Sequence, residues 1–103
     1  MSKQVKGITQ IRSMLILKKT LEEMNINSQQ LSAESLTFGQ GFSKVVCHTD
    51  SGQVEYDEMR RSFIDDLQKG YSKNLILNEI AIKGHRVESV KQVGANIEII
   101  ASY

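Results

Sequence analysis

The chain has no proline and no tryptophan, a single cysteine, six phenylalanine and tyrosine residues together, and a formal net charge of +1. Each scarcity excludes something. One cysteine, Cys47, cannot form an internal disulfide framework, which fits a reducing compartment. Thirteen Lys and Arg against twelve Asp and Glu argue against a binder driven by salt-dependent attraction to phosphates. No apolar run approaches the roughly 18–20 residues of a membrane span, and the opening "MSKQVKGITQIRS" lacks the apolar centre of a signal peptide. A cytosolic protein without membrane association is expected. No low-complexity tract and no repeat interrupts the 103 residues, enough for one domain with one modest core.

What is present is periodicity. "KGITQIR" at residues 6–12 reads as a short strand, and Ser13 offers its hydroxyl as a helix N-cap. Met14, Leu17, Leu21 and Met24 then recur at three and four residues, predicting a helix over 13–24 with Asn25 as its left-handed terminator. "NINSQQLSAES" at 25–35 is polar and linker-like, with an earlier strand near 34–38 before "GQGF". In "SKVVCHTDSGQVEYDE" two alternating runs flank "TDSGQ", a hairpin with Gly52 at positive φ. Asp57 caps a second helix over about 57–83, with Phe63, Leu67 and Tyr71 as one stripe and Leu77, Ile80 and Ala81 drifting round to another, covered on more than one side. Gly70, inside this helix, reads as a close-packing position against the sheet rather than a stop, and Gly84 as the C-cap. A hairpin turning at 94–96 follows, with Ile97, Ile99 and Ala101 on one face. The expected fold is α+β: two helices packed on one face of a mainly antiparallel sheet, in the order β-α-β-β(-β)-α-β-β.

The residues Leu67, Tyr71, Leu75, Ile76, Ile80, Gly84 and Val87, with Leu17, Thr20, Leu21 and Met24 earlier, form a pattern spanning about two thirds of the chain. It resembles a small family of conserved hypothetical proteins of algal plastids and cyanobacteria with bacterial relatives. The resemblance implies a helix with a central tyrosine that ends at glycine, then a hairpin ending in an aromatic, placed at Tyr103. The family more often carries alanine at Thr20, glycine at Asn25 and an aromatic at His85, and its middle is longer than "SGQVEYDEM". The family has no assigned enzymatic activity, so the resemblance implies a fold and not a mechanism.

Chemistry-bearing residues do not converge in the sequence. Cys47 and His48 are neighbours on a strand and point to opposite faces, so they cannot share one metal ion. Cys47 reads as a small buried hydrophobe and His48 as a surface residue. His85 sits where a cation compensates a helix dipole. Glu22 and Asp65 are expected to pair with Lys18 and Arg61 on solvated faces. No catalytic residue, cofactor or metal is expected.

Three readings of function follow, one of them an enzyme that would need His85 and an acid or Cys47 in one cleft. The first is a non-enzymatic interaction or accessory protein, phage or mobile-element encoded, acting through a protein partner or as a homodimer. Its surface is the C-terminal hairpin or the sheet face beside it, at Ile97, Glu98, Ile100 and Tyr103. The segment "NIEIIASY" contains no lysine or proline to guard an edge. The alternative is a nucleic-acid-binding module using the sheet face and Arg60, Lys69 and Lys73 of the second helix. Because the only cysteine has no partner within the chain, the thermal melt of the protein is expected to be unchanged by dithiothreitol; a lower melting temperature on reduction would show a disulfide.

Overall fold

The computed structural model describes residues 4–84, 86–93 and 96–102. His85, the 94–95 turn and Tyr103 lie outside the described residues, as do the side chains at Phe42, Arg86, Ile97 and Ala101 among others. The elements run β1 (Gln4–Ile8), α1 (Met14–Glu23), β2 (Ser28–Ser32), β3 (Ser35–Phe38), β4 (Val45–His48), β5 (Gln53–Asp57), α2 (Arg61–Ile82), β6 (Arg86–Val93) and β7 (Asn96–Ser102), with 3-10 turns at Gly41–Ser43 and Glu58–Arg60. Two helices and a mainly antiparallel five-stranded sheet make the protein α+β.

The sheet has the order β1-β5-β4-β3-β2. β2 to β5 form a meander of adjacent hairpins, and β1 closes the far edge against β5. One face of the sheet buries Leu36, Phe38, Val45, Cys47, Val54 and Tyr56, and the helices cover it with Ile16, Leu17, Leu21, Ile64, Leu67 and Tyr71. Each fully buried leucine there contributes about 2 kcal/mol of transfer free energy. The alternation expected of β4 and β5 is present, and so are the two turns that glycine and asparagine were expected to make. Gly52 has φ 77° in the β4–β5 turn, where its backbone lies so close to Thr9 that an added Cβ would collide with the Thr9 carbonyl. Asn25 has φ 59° after α1. There the Asn25 amide donates to the Glu22 carbonyl and the Ile26 amide to that of Leu21, the paired bonds of a Schellman stop. Ser13 caps α1 as expected, its Oγ accepting from the Ile16 amide.

Five expectations are corrected, the last of them at Gly70. The first strand ends at Ile8; Thr9 leaves the ladder, and its hydroxyl donates to the Gly52 carbonyl at 2.7 Å, locking the link into α1. Residues 28–32, read as a polar linker, are the edge strand β2, exposed throughout. Its polarity on both faces hid it, because the core stops at β3. The second half of α2 is not covered on more than one side: beyond Asn74 no residue of the helix is buried, and Ile76 and Ile82 are 46% and 76% exposed. Among the described residues neither Glu22–Lys18 nor Asp65–Arg61 forms an ion pair; all four are exposed, where such pairs are worth little.

Gly70 lies within one continuous helix, but it faces α1 and not the sheet. An added Cβ would stand 3.0 Å from Thr20 Cγ2. Thr20 cannot easily turn aside. It is buried, its hydroxyl donates to the Ile16 carbonyl at 2.8 Å, and it accepts from Asn74 Nδ2 at 3.0 Å. Gly70→Ala is therefore expected to destabilise by about 1 kcal/mol, overpacking outweighing alanine's better helix propensity. Thr20→Ser keeps the hydroxyl and removes the obstructing methyl, so the double variant should recover most of that loss in a denaturation cycle. A higher melting temperature for Gly70→Ala in the Thr20 background would contradict the assignment.

Candidate interaction surface

β6 and β7 form a sheet of their own, with no strand of the five-stranded sheet beside them. They run from Arg86 opposite Ser102 to Val93 opposite Asn96, with a bulge between Val87 and Ser89. This hairpin follows and touches α2, whose 22 residues span about 33 Å at 1.5 Å each. Helix end and hairpin together make an arm, in a molecule extending 50 × 32 × 23 Å. The arm exposes apolar surface: Ile82 on the helix, and Val90 and Ile100 on the strands at 41% and 44%. Ile99 stands opposite Val90 and is half-buried, whereas Ile100, opposite Ser89, and Glu98, opposite Lys91, are exposed. Of the residues expected on this surface, Glu98 and Ile100 are thus on it. The Ile97 side chain and Tyr103 lie outside the described residues.

The basic residues of α2 are spread apart. Arg60 sits in the 3-10 turn before the helix, its guanidinium 4.3 Å from the centroid of Phe63. Phe63 in turn packs on Phe38, 5.8 Å between centroids. Lys69 and Lys73 lie one turn apart further along the helix, Lys69 exposed and Lys73 half-buried. Nine helical residues rotate the chain by about 900°, so Lys69 emerges about half a turn away from the direction of Arg60. Phe38 and Tyr56, which a base-stacking sheet would need on its open face, are buried in the core.

The open face of the sheet holds a polar row that sequence reasoning missed. Ser35 on β3, His48 on β4 and Glu55 on β5 are joined by hydrogen bonds, 3.1 Å from Ser35 Oγ to His48 Nδ1 and 2.8 Å from His48 Nε2 to Glu55 Oε2. With Glu55 ionised, Nε2–H donates to the carboxylate and Nδ1 accepts from the serine hydroxyl, the one neutral tautomer that satisfies both. The histidine and glutamate side chains are 29% and 27% exposed, so the pair stabilises by about 0.5 kcal/mol at most. The signal for it was the hairpin register: with Gly52 in the turn, His48 falls opposite Gln53 and diagonal to Glu55. His48 is thus a surface residue held at both ring nitrogens. Among the described residues no three His, Cys, Asp or Glu side chains gather as a metal site, and no helix is long and apolar enough to cross a membrane.

No protein-family model, curated protein or solved structure matches the chain.

Cys47 is on the core face, between Leu36 and Val54 in the register, and fully buried. Burial alone pushes its thiol up to about 12. At pH 8 the reactive thiolate is a very small minority of the native protein. A thiol reagent is therefore expected to label native protein only at the rate of global opening, and to label it at once in denaturant. Rapid labelling of the native state would contradict the burial.

Proposed function

We propose that the protein is a non-enzymatic interaction module of the cytosol that self-associates into a homodimer through its C-terminal arm. The observation that carries this reading is the separation of β6 and β7 from the five-stranded sheet. An isolated two-stranded hairpin is marginally stable in water and needs a helix packed on it or further strands beside it; α2 touches it on one side, and further strands would add the rest. Its outer edges present backbone N–H and C=O groups that recruit further strands. The exposed Ile82, Val90 and Ile100 add apolar surface around those edges.

A second copy suits this surface. Antiparallel pairing of β7 with its symmetric mate builds a four-stranded sheet and leaves no unmatched partner, the closed two-fold arrangement that most oligomers adopt. β7 carries one charge, Glu98, and the register sets it opposite Lys91 of the same hairpin. Two β7 edges therefore approach each other with little repulsion. The same reading accommodates the family resemblance, which implies a fold ending in a hairpin and carries no mechanism.

Sedimentation across a range of concentrations tests the proposal. The native chain is expected as a dimer at micromolar concentration. Ile100→Lys, which places a charge in the contact, is expected to weaken it by about a hundredfold or more while the monomer stays folded. A strict monomer, unaltered by Ile100→Lys, would refute it.

A further inference from the structure

The two edges of the five-stranded sheet are not alike. β1 carries an exposed lysine, Lys6, the usual guard against unwanted pairing. β2 reads "SQQLS": five exposed residues, none charged and none proline. It is paired on one side only, to β3, so every second N–H and C=O along it points away from the sheet. Its one irregularity is a bulge between Gln30 and Ser32, where Gln30 Nε2 donates to the Ser32 carbonyl at 2.8 Å. That closes the far end and leaves Ser28, Gln29 and Gln30 as the regular, open stretch.

Beside this stretch lies a groove of about 350 Å³, lined by Asn27, Gln29, Thr37, Phe38 and Gln40 among others, with no charged residue. Gln29 and Thr37 are cross-strand partners and form its floor. Its rim is preformed. The Gln40 amide donates to Ser43 Oγ at 3.1 Å, and that hydroxyl donates back to the Gln40 carbonyl at 2.8 Å. Gly39, at φ 81°, passes so close that any side chain would collide with the Ser43 backbone.

We propose that the β2 edge and this groove form a docking site for an extended, uncharged polar segment of a partner protein, which adds to the sheet as a further strand. Strand addition needs two things: open main-chain groups for affinity, and a pocket for alternate side chains to give specificity. The edge supplies the first and the amide-lined groove the second. A neutral hydrogen-bonding side chain such as Asn, Gln, Ser or Thr matches the groove, whereas a charge entering it loses hydration without a countercharge. A second copy of β2 is a poorer occupant. Stable dimers bury about 1,200–2,000 Å², and two five-residue polar strands meeting edge to edge cover far less.

The test is selection of random peptides displayed on phage against the full chain, followed by amide NMR with the tightest synthetic peptide. The enriched peptides are expected to be poor in charged residues and proline. The peptide should shift and protect the amides of Ser28–Ser32 and of residues 37–40, and Gln29→Lys should weaken it by about tenfold or more, with the spectrum of the remaining protein unchanged. The proposal is overturned if no peptide is enriched, if the enriched peptides are charged or bind away from β2, or if Gln29→Lys leaves binding intact. Protection of β2 amides that rises with protein concentration in the absence of peptide would also overturn it, in favour of a second copy.

Discussion

The close approach of α2 to α1 at Gly70 is the constraint on which the rest of the fold depends. A glycine there lets Thr20 come to contact distance, and the residues on either side convert the approach into a fixed joint. Tyr71 reaches the start of α1, where its hydroxyl accepts from the amides of Arg12 and Ser13 at 3.1 and 3.0 Å. These are donors that a helix start leaves free of intrahelical partners. One turn further, Asn74 Nδ2 donates to Thr20 Oγ1 and to Glu23 Oε1, the latter at 2.6 Å, near the end of the same helix. The cost is an Asn74 Oδ1 that is buried without a partner among the described residues. Pinned at its start, middle and end, α1 presents Ile16, Leu17 and Leu21 to the sheet in one orientation only.

This joint explains where the core stops. Ile64, Leu67 and Tyr71 belong to the stretch of α2 that rides on α1 and the sheet, and burial ends at Asn74. Leu75 is the last residue of α2 packed against the core cluster, and β6 and β7 follow the helix as a separate sheet. The molecule is thus a well-packed body followed by a two-stranded arm with α2 beside it. The hairpin and the β2 edge belong to different sheets.

The legible parts of the sequence were those in which a local pattern carries the physics. Ser13, the Met14–Leu17–Leu21 spacing, Asn25 and Gly84 mark helix limits by short-range hydrogen bonds and φ, and all of these positions behave as read. The β4–β5 hairpin was legible for the same reason. What was hidden depended on long-range partners. Gly70 was recognisable as a packing position, but nothing local says whether a helix or a sheet lies across from it. β2 has no apolar alternation to reveal it, because all five of its residues are exposed and the core ends at β3. The apolar residues of the last turns of α2 share the spacing of a buried face, yet among the described residues Leu77 and Ile80 are only half-buried and Ile82 is exposed. The Ser35–His48–Glu55 row needed three strands in register before it existed.

Native-state hydrogen exchange, followed residue by residue at low and high protein concentration, tests the division into body and arm most directly. The account predicts that amides of α1, β3 to β5 and the first half of α2 exchange only through global unfolding at any concentration. Amides of β6 and β7 should exchange far faster when dilute and gain protection as the concentration rises. Arm amides protected to the global limit in dilute solution, with no dependence on concentration, would contradict it.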